Sequence, residues 1–259
     1  MTQEQFEDGL AYAEDNFMND CASHLWVDKK LIKEKFNLDG KRILDFGCGM
    51  GGMTLWYATN WDCKAYGLDI DHHHIRIAQH LKLKYEVYNA VFEIRNILKT
   101  PFREDEKFDY IFLHDVAEHI PFLQLKQILR RLSDALLPDG IIFVAYPPWK
   151  SPYAAHLFQD VPIPWSQFLP KRFLFSLIEK NNRILVGDEE STLLEAFKGL
   201  NKLTYKKLIQ LIEGLELQVV YRKSHCVLNK LPFLKQYNIN FFPFDFLVTK
   251  EFLMLKNEE

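Results

Sequence analysis

Residues 42–52, RILDFGCGMGG, run from a short apolar segment directly into a glycine-rich turn. An apolar run of this length bounded by glycine is typical of a buried β-strand, and glycines let the backbone turn sharply and approach a ligand closely. Gly47, Gly49 and Gly52 match the G-x-G-x-x-G pattern of dinucleotide sites. The stretch therefore predicts a strand, a turn and a helix start, with a ligand bound at the turn.

The charge of Asp45 distinguishes between two kinds of ligand for this turn. Asp45 together with Gly47, Gly49 and Gly51 forms a second pattern that fits the same stretch equally well. An ionised carboxylate here repels the pyrophosphate of a dinucleotide, whereas it attracts the ammonium group of S-adenosylmethionine. Asp69 ends the next predicted strand and suits the ribose hydroxyls of either ligand. The charge pattern therefore favours S-adenosylmethionine.

The composition is that of an ordinary globular protein. The chain has 259 residues, of which 48% are hydrophobic and 26% charged, enough for one large α/β domain with insertions or for two small domains. A net charge of −3 gives no overall field that attracts nucleic acid, so no nucleic-acid partner is expected. Four scattered cysteines without a C-x-x-C pair indicate reduced thiols. With no secretory signal and no run of ~18 apolar residues, we expect a cytoplasmic protein without a transmembrane segment.

Apolar strands alternate with amphipathic helices through most of the chain. Residues 1–40 are predicted to form an N-terminal helical segment, and residues 41–148 to form βαβ units with a mostly parallel sheet. Residues 149–200 contain several prolines and are too apolar for a disordered linker, which favours an ordered cap over the end of the sheet. Pro138, Asp139 and Gly140 are predicted to turn the chain into another buried strand. Residues 201–259 are predicted to return to the core sheet with a helix and two antiparallel strands, of which the last starts at Phe244.

The sequence resembles the class I S-adenosylmethionine-dependent methyltransferases, in particular type 11/12-like members, over about residues 40–148. LDFGCGMG reproduces the D-x-G-x-G-x-G loop of that family, and YGLDID is similar to its ribose-binding motif. HDVAEHI matches the segment after the family's fourth strand, and LLPDGIIFVAYP matches the entry to the fifth. The resemblance implies an α/β, Rossmann-like, doubly wound fold. Its mostly parallel seven-stranded sheet would carry a C-terminal antiparallel hairpin and an inserted cap.

The same resemblance implies that S-adenosylmethionine is the cofactor and that its contacts lie after the first four strands. The expected cofactor-binding residues are Asp45, Gly47, Cys48, Gly49, Gly51, Asp69, Ile70, Asn96, Ile97, His114 and Asp115. Asn96 departs from the family, which often has an aspartate at the position that contacts adenine. An amide oxygen still accepts a hydrogen bond from the adenine amino group.

Two histidines are candidate catalytic bases, because an imidazole with an ordinary pKa of ~6.5 takes a proton readily near neutral pH. His156 opens the predicted cap and is the first candidate, while His114 at the end of the fourth strand is the second. The alternative for His156 is a structural hydrogen bond within a tight loop. Glu118 and His119 form a pair that the family shares and that serves either structure or chemistry.

The acceptor pocket is expected within the cap, at residues 149–200. Its candidate substrate-binding residues are Tyr153, Trp149, Trp165 and His119. Packing of the cap explains the aromatic residues equally well. The acceptor itself is predicted to be a small molecule, a glycan or a lipid-linked headgroup.

No metal site is expected from the sequence. His72, His73 and His74 are consecutive, and adjacent side chains on a helix splay apart, so the run predicts a solvent-facing helix start. Residues 114, 119 and 156 are histidines without any fixed ligand spacing.

The leading functional prediction is transfer of a methyl group from S-adenosylmethionine to a hydroxyl group of the acceptor. The alternatives are N-methylation of a small amine, a non-catalytic relative that keeps the cofactor fold, and an NAD-dependent oxidoreductase. Residues 170–180, PKRFLFSLIEK, combine apolar and basic side chains, which is typical of a peripheral membrane contact or of a buried cap helix. No pattern in the sequence indicates an oligomeric state.

Overall fold

A seven-stranded sheet forms the centre of the protein in the computed structural model, which describes residues 1–21, 23–180 and 192–258. The strands are β1 (Arg42–Phe46), β2 (Lys64–Asp69), β3 (Ala90–Ile94), β4 (Phe108–His114), β5 (Leu136–Tyr146), β6 (Leu217–Cys226) and β7 (Val248–Asn257). Their order is β3-β2-β1-β4-β5-β7-β6. Neighbours among β1 to β5 pair in parallel, and β7 pairs antiparallel with both β5 and β6. The predicted fold class, with its C-terminal antiparallel hairpin, is confirmed.

Helices cover both faces of this sheet. They are α1 (Gln3–Met18), α2 (Trp26–Lys35), α3 (Gly52–Asn60), α4 (His72–Lys84), α5 (Phe122–Asp134), α6 (Lys171–Lys180), α7 (Leu193–Gly199) and α8 (Tyr205–Ile212). Successive residues of β1 show the two-sided burial: Ile43 packs with α1 to α4, and Leu44 packs with α5 and α8. Both side chains are fully buried, as expected for a parallel strand that is covered on both faces.

The strand order places the glycine turn where a ligand binds in this kind of sheet. The chain goes from β1 outward to β2 and β3, then returns to β4 on the other side of β1. The loops after β1 and β4 therefore diverge and leave a crevice at the carboxyl ends of the strands. The turn that begins after Phe46 opens into this crevice.

The N-terminal helical segment packs directly against the unit that follows the glycine turn. α1 contacts both α3 and α4. A Cβ atom on Gly52, the first residue of α3, would lie 2.6 Å from the carbonyl oxygen of Ala13 in α1. The close approach of the two backbones shows why glycine stands at this helix start.

Two strand boundaries differ from the predictions. The predicted turn at Pro138, Asp139 and Gly140 lies within β5, where the register with β4 shifts between Phe108 and Tyr110. Pairing resumes on both sides of this irregularity, so the extra residues are accommodated as a bulge, with Asp139 at φ 64°. The last strand begins at Val248 rather than Phe244, because Phe244–Leu247 forms a 3-10 turn.

The predicted cap has a small apolar core of its own. The residues of this core are Ala155, Leu157, Val161, Leu174, Ile178 and Leu193. α6 buries Leu174 and Ile178 and leaves Phe173 53% exposed, so most of its apolar face packs within the protein. Residues 181–191 of the predicted cap lie outside the described residues. Within residues 1–21, 23–180 and 192–258, the helices are too short or too polar to cross a membrane.

Candidate active site

The glycine turn after β1 is held in place by the neighbouring strand. Gly47, Gly49 and Gly51 have φ angles of 71°, 51° and 81°, a region that residues with a Cβ atom adopt only at a cost. The amides of Gly47 and Cys48 both donate to the carbonyl oxygen of Leu68 at the end of β2, at 2.8 and 3.0 Å. The predicted strand–turn–helix unit therefore forms with its turn anchored to β2.

The three glycines differ in what surrounds them. A Cβ atom on Gly47 would lie 2.7 Å from the side chain of Val116, and one on Gly51 would lie 2.6 Å from that of Ala78. A Cβ atom on Gly49 would meet no atom within 4 Å. Packing of the protein itself therefore requires Gly47 and Gly51, whereas Gly49 faces open space that a ligand can fill.

Asp45 is an almost completely buried acid beneath this turn. Its carboxylate accepts a hydrogen bond from the Thr54 hydroxyl at 2.6 Å, and the residue is 2% exposed. Burial raises the pKa of Asp45 above its ordinary value, although the charge of His114 and the Thr54 hydrogen bond oppose that shift. A cation that approached this carboxylate would favour its ionised form.

Asp69 presents an ionised carboxylate at the end of β2. The amide of Gly49 donates to its Oδ2 at 2.9 Å, and the amide of Asp71 donates to its Oδ1 at 2.9 Å. Burial raises the pKa of Asp69, but hydrogen bonds from His74 and from these amides outweigh burial and hold it below the ordinary value. His74 therefore turns toward Asp69, with 25% of its side chain exposed, and only part of the histidine run faces solvent as predicted.

Three of the predicted cofactor-binding residues, Ile70, Asn96 and Ile97, have different environments. Ile70 is 72% exposed at the crevice, whereas Ile97 is 1% exposed and packs in the core. Only the backbone of Ile97 is therefore placed to contact a ligand. Asn96 is exposed, and its side-chain oxygen accepts a hydrogen bond from the amide of Leu98 at 3.0 Å.

His114 has both ring nitrogens engaged within the protein. Nδ1 lies 2.9 Å from Oδ1 of Asp28, and Nε2 lies 2.6 Å from the Tyr57 hydroxyl. Because a carboxylate only accepts, Nδ1 donates to Asp28, and the Tyr57 hydroxyl occupies Nε2. The side chain is 4% exposed, so this second candidate base has no free nitrogen for an acceptor.

Lys250 joins Asp28 to Asp115 through a buried ionic chain. Its Nζ lies 2.9 Å from Oδ2 of Asp28 and 2.8 Å from Oδ2 of Asp115. Burial lowers the pKa of Lys250, but the two carboxylates outweigh burial and raise it above the ordinary value. His24 extends the chain, with Nε2 3.9 Å from Asp115 and a hydrogen bond to Tyr12.

The buried charges of Asp28 and Lys250 were not predicted, although the sequence pattern around each residue indicates burial. Asp28 lies three residues from both Leu25 and Leu31, which are buried on the same face of α2. Lys250 lies on the same face of β7 as the buried apolar residues Val248 and Phe252, each two positions away. A charged residue within an apolar stripe is expected to have a buried partner.

Glu118, His119 and His156 form a second cluster near the ends of β4 and β5. His156 Nε2 lies 3.4 Å from Oε1 of Glu118, and the rings of His119 and His156 are 4.8 Å apart. Glu118 is 3% exposed, and neither of its carboxylate oxygens accepts a hydrogen bond from the described residues. The fold therefore joins the first candidate base, His156, to the predicted pair Glu118 and His119.

The pKa values in this cluster reflect burial and mutual contact. Burial raises the pKa of Glu118, and the adjacent His156 opposes that rise. Burial lowers the pKa of His156, but the close carboxylate of Glu118 outweighs burial and raises it overall. Partial desolvation and the neighbouring His156 lower the pKa of His119 to about 4.

The aromatic residues predicted for the acceptor pocket are divided between the cluster and the packing of the cap. Tyr153 is 43% exposed, and its carbonyl oxygen accepts from the amide of His156 at 3.1 Å. Trp165 donates from its indole to the carbonyl oxygen of Phe246, and the ring of Trp149 packs near Phe197. These contacts join the backbone of Tyr153 to that of His156, place the Tyr153 ring against Phe158 and engage the two tryptophans in packing.

Alanine substitutions at two glycines are expected to separate ligand binding from folding. Gly49→Ala places a methyl group in open space, so we expect at least a tenfold weaker affinity for S-adenosylmethionine and a backbone cost of about 1 kcal/mol. Gly51→Ala collides with Ala78 and Phe92, so we expect it to lower the free energy of unfolding by about 2–4 kcal/mol. Calorimetric titration and urea unfolding measure both effects. Wild-type affinity in Gly49→Ala would contradict the assignment of this space to the ligand.

Removal of Lys250 is expected to destabilise the protein strongly. Lys250→Met leaves the buried Asp28 and the half-buried Asp115 without their cation, which costs about 3–5 kcal/mol in unfolding free energy. Asp28→Asn combined with Lys250→Met should cost less than the sum of the single substitutions, because the two residues interact directly. Urea unfolding of the four proteins in this cycle tests the coupling, and strict additivity would show that the ion pair contributes nothing.

Comparison with protein families identifies the fold's relatives. A family model described as "Methyltransferase domain" matches residues 37–198, which is more than half of the chain. (S)-tetrahydroprotoberberine N-methyltransferase of Eschscholzia californica is 28% identical over 126 residues, covering 48% of this chain and 33% of that protein. Phosphoethanolamine N-methyltransferase 2 of Caenorhabditis elegans is 29% identical over 105 residues, covering 40% of this chain and 23% of that protein. The match thus spans about a third or less of these relatives.

Solved structures share the fold over nearly the whole chain. PH0226 protein from Pyrococcus horikoshii OT3 superimposes with a TM-score of 0.61, 16% identity and full coverage of both chains. An S-adenosylmethionine-dependent methyltransferase from Clostridium acetobutylicum gives a TM-score of 0.59 at 12% identity, covering 98% of this chain and 99% of that one. From the family match, the sheet order and the glycine turn, we conclude that the chain belongs to the methyltransferase-domain family and has the fold of the class I S-adenosylmethionine-dependent methyltransferases.

Proposed function

We propose that the protein transfers a methyl group from S-adenosylmethionine to a hydroxyl group of a small molecule, or of a glycan or lipid-linked acceptor. The pairing of His156 with Glu118 at 3.4 Å carries this proposal. The pair follows β5 and β4, at the same edge of the parallel sheet as the glycine turn after β1. A hydroxyl group is a weak nucleophile until it loses its proton, whereas an amine needs no such step. A histidine that is partly open to solvent and paired with a buried carboxylate therefore supports an oxygen acceptor.

The residues at the crevice fit the parts of the cofactor. Asp69 is ionised and has lone pairs left to accept from the two ribose hydroxyls. Asp45 attracts the ammonium group, while Gly49 leaves space for the ligand to lie against the backbone. Ile70 and Asn96 are exposed where adenine would lie.

The positions of the other predicted cofactor-binding residues support a proposed role for each of them. Gly47, Cys48 and Gly51 shape the turn through their backbone, and Ile97 contributes its backbone beside adenine. Asp115 follows β4 and has a buried Oδ1 that accepts no hydrogen bond from the described residues, which suits the methionine end of the cofactor. His114 is a positioning residue, because both of its nitrogens hold Asp28 and Tyr57.

Methyl transfer requires alignment, exclusion of water and removal of one proton. The acceptor oxygen attacks the methyl carbon in line with the bond to sulfur, and the sulfonium leaves as a neutral thioether. Glu118 stabilises a protonated His156 electrostatically, so the cluster can hold the hydroxyl proton. Tyr153 and His119 adjoin His156 and are proposed to contact the acceptor, and Trp149 and Trp165 to shape the cap around it.

The names of the relatives cover three kinds of acceptor atom: nitrogen, oxygen and carbon. Names among them include N-methyltransferases of alkaloids and of phosphoethanolamine, a tocopherol O-methyltransferase and a sphingolipid C9-methyltransferase. N-methylation of a small amine therefore remains the second candidate function. A lipid-linked acceptor would bring the exposed rings of Phe168 and Phe173 into peripheral contact with a membrane.

Cofactor selectivity is expected to depend on the charge of Asp45. The wild-type protein should bind S-adenosylmethionine and show no measurable heat with NAD. Asp45→Asn removes the attraction for the ammonium group and should weaken S-adenosylmethionine binding by about 10- to 100-fold. Isothermal calorimetry measures both, and preference for NAD in the wild-type protein would refute the proposal.

Substitution of His156 is expected to distinguish oxygen from nitrogen acceptors. His156→Ala should lower methyl transfer to hydroxyl compounds by about 100-fold and leave transfer to amines within a few-fold of wild type. His72→Ala, which removes an exposed histidine outside the cluster, is the matched control. Transfer from radiolabelled S-adenosylmethionine to a panel of hydroxyl and amine compounds gives the rates. Unchanged hydroxyl transfer in His156→Ala would remove His156 from the reaction.

A further inference from the structure

We infer that Glu118, His119 and His156 form a binding site for a divalent transition-metal ion of the zinc type. The three side chains come from two segments, the 3-10 turn Ala117–His119 after β4 and the start of the cap after β5. The place of the acceptor beside this site rests on the proposed function, whereas the metal site itself rests on the geometry of the three residues.

The donor atoms are already close to coordinating positions. One nitrogen or oxygen from each side chain lies within 4.8 Å of the other two. Ligands that surround one zinc ion at about 2.0–2.2 Å lie roughly 3–3.5 Å from one another. Small side-chain rotations toward a common centre therefore suffice to close the site.

The buried carboxylate of Glu118 independently points to a cation. The residue is 3% exposed, and its two oxygens accept no hydrogen bond from residues that the structure describes. A buried acid without hydrogen bonds is costly, and His156 at 3.4 Å is its described ion-pair partner. A bound divalent ion would satisfy the Glu118 carboxylate and both imidazoles together.

The backbone around Glu118 is held firmly enough to preorganise the site. The amide of Asn201 donates to the carbonyl oxygen of Glu118 at 2.9 Å. The Asn201 side chain donates to the carbonyl oxygens of Ala117 and Ile120, both at 2.7 Å. One residue from the chain beyond the cap therefore fixes the turn that carries two of the three ligands.

The ligand set determines which ion fits and what it can do. Two imidazoles and one carboxylate suit zinc and similar first-row ions, and three protein ligands leave a coordination position open. With the ion bound, His156 is a ligand instead of the base, and an acceptor hydroxyl in the open position loses its proton to water more easily, because the ion lowers its pKa. The oxygen then attacks the methyl carbon, the bond from carbon to sulfur breaks, and its electron pair stays on sulfur.

Metal binding by the protein itself provides the test. Metal-free protein is titrated with Zn²⁺ in a calorimeter and with Co²⁺ in an absorption spectrometer, without cofactor or acceptor. We expect one ion per chain, visible bands from Co²⁺ bound to nitrogen and oxygen ligands, and affinity at least 100-fold weaker in Glu118→Gln and in His156→Ala. Thermal unfolding of each variant shows that it remains folded.

The histidine run provides the matched control. His72→Ala combined with His73→Ala removes an alternative zinc-binding surface and leaves the three proposed ligands intact, so it should bind like wild type. No binding by the wild-type protein, or binding lost in this control and retained in Glu118→Gln, overturns the inference.

Activity assays separate failure of this inference from failure of the proposed function. Hydroxyl methylation by metal-free protein at the full rate, with no Zn²⁺ binding, would refute the metal site and leave His156 as the direct base. Zn²⁺ binding that depends on Glu118 and His156, with no methylation of any hydroxyl compound, would support the metal site and refute the proposed acceptor.

Discussion

The buried ionic chain centred on Lys250 is the constraint that joins the parts of this site. Lys250 lies on β7 near the end of the sequence, and it pairs with Asp28 of α2 and with Asp115 after β4. Each of these charges is costly to bury alone, so the three segments are stable in this arrangement only together. The N-terminal helices and the last strand are thereby tied to the crevice that the Rossmann-like core provides.

This constraint also explains why the two candidate bases have different roles. Asp28 fixes the tautomer of His114 by accepting from Nδ1, and Tyr57 occupies the other nitrogen. His156 belongs to a separate cluster whose carboxylate, Glu118, has no hydrogen bond from the described residues. His114 is thus held by hydrogen bonds on both ring nitrogens, whereas His156 is partly exposed and can bind a proton, an acceptor or an ion.

The parts of the fold that sequence analysis predicted correctly depend on local patterns. Burial on both faces accounts for the apolar residues Ile43, Leu44 and Phe46 of β1. Asp71 caps α4 by accepting from the amides of His73 and His74. The bulge in β5 was missed because Pro138, Asp139 and Gly140 form a typical turn sequence whose strand pairing depends on β4. The role of Asn201 beside Glu118 was not predicted, because Asn201 and its partners Ala117 and Ile120 are separated in sequence by the whole cap.

The sequence by itself determined the succession of strands and helices along the chain and the glycine turn, since each depends on residues within a few positions of one another. The electrostatic preference of Asp45 stays a prediction. Only the tertiary structure decided that His114 is enclosed by Asp28 and Tyr57 and that His156 meets Glu118 and His119. These contacts join residues far apart in the chain, and their spacing follows from strand order and cap packing rather than from any local period. A motif can therefore locate the crevice, while long-range packing decides which side chains are free to react in it.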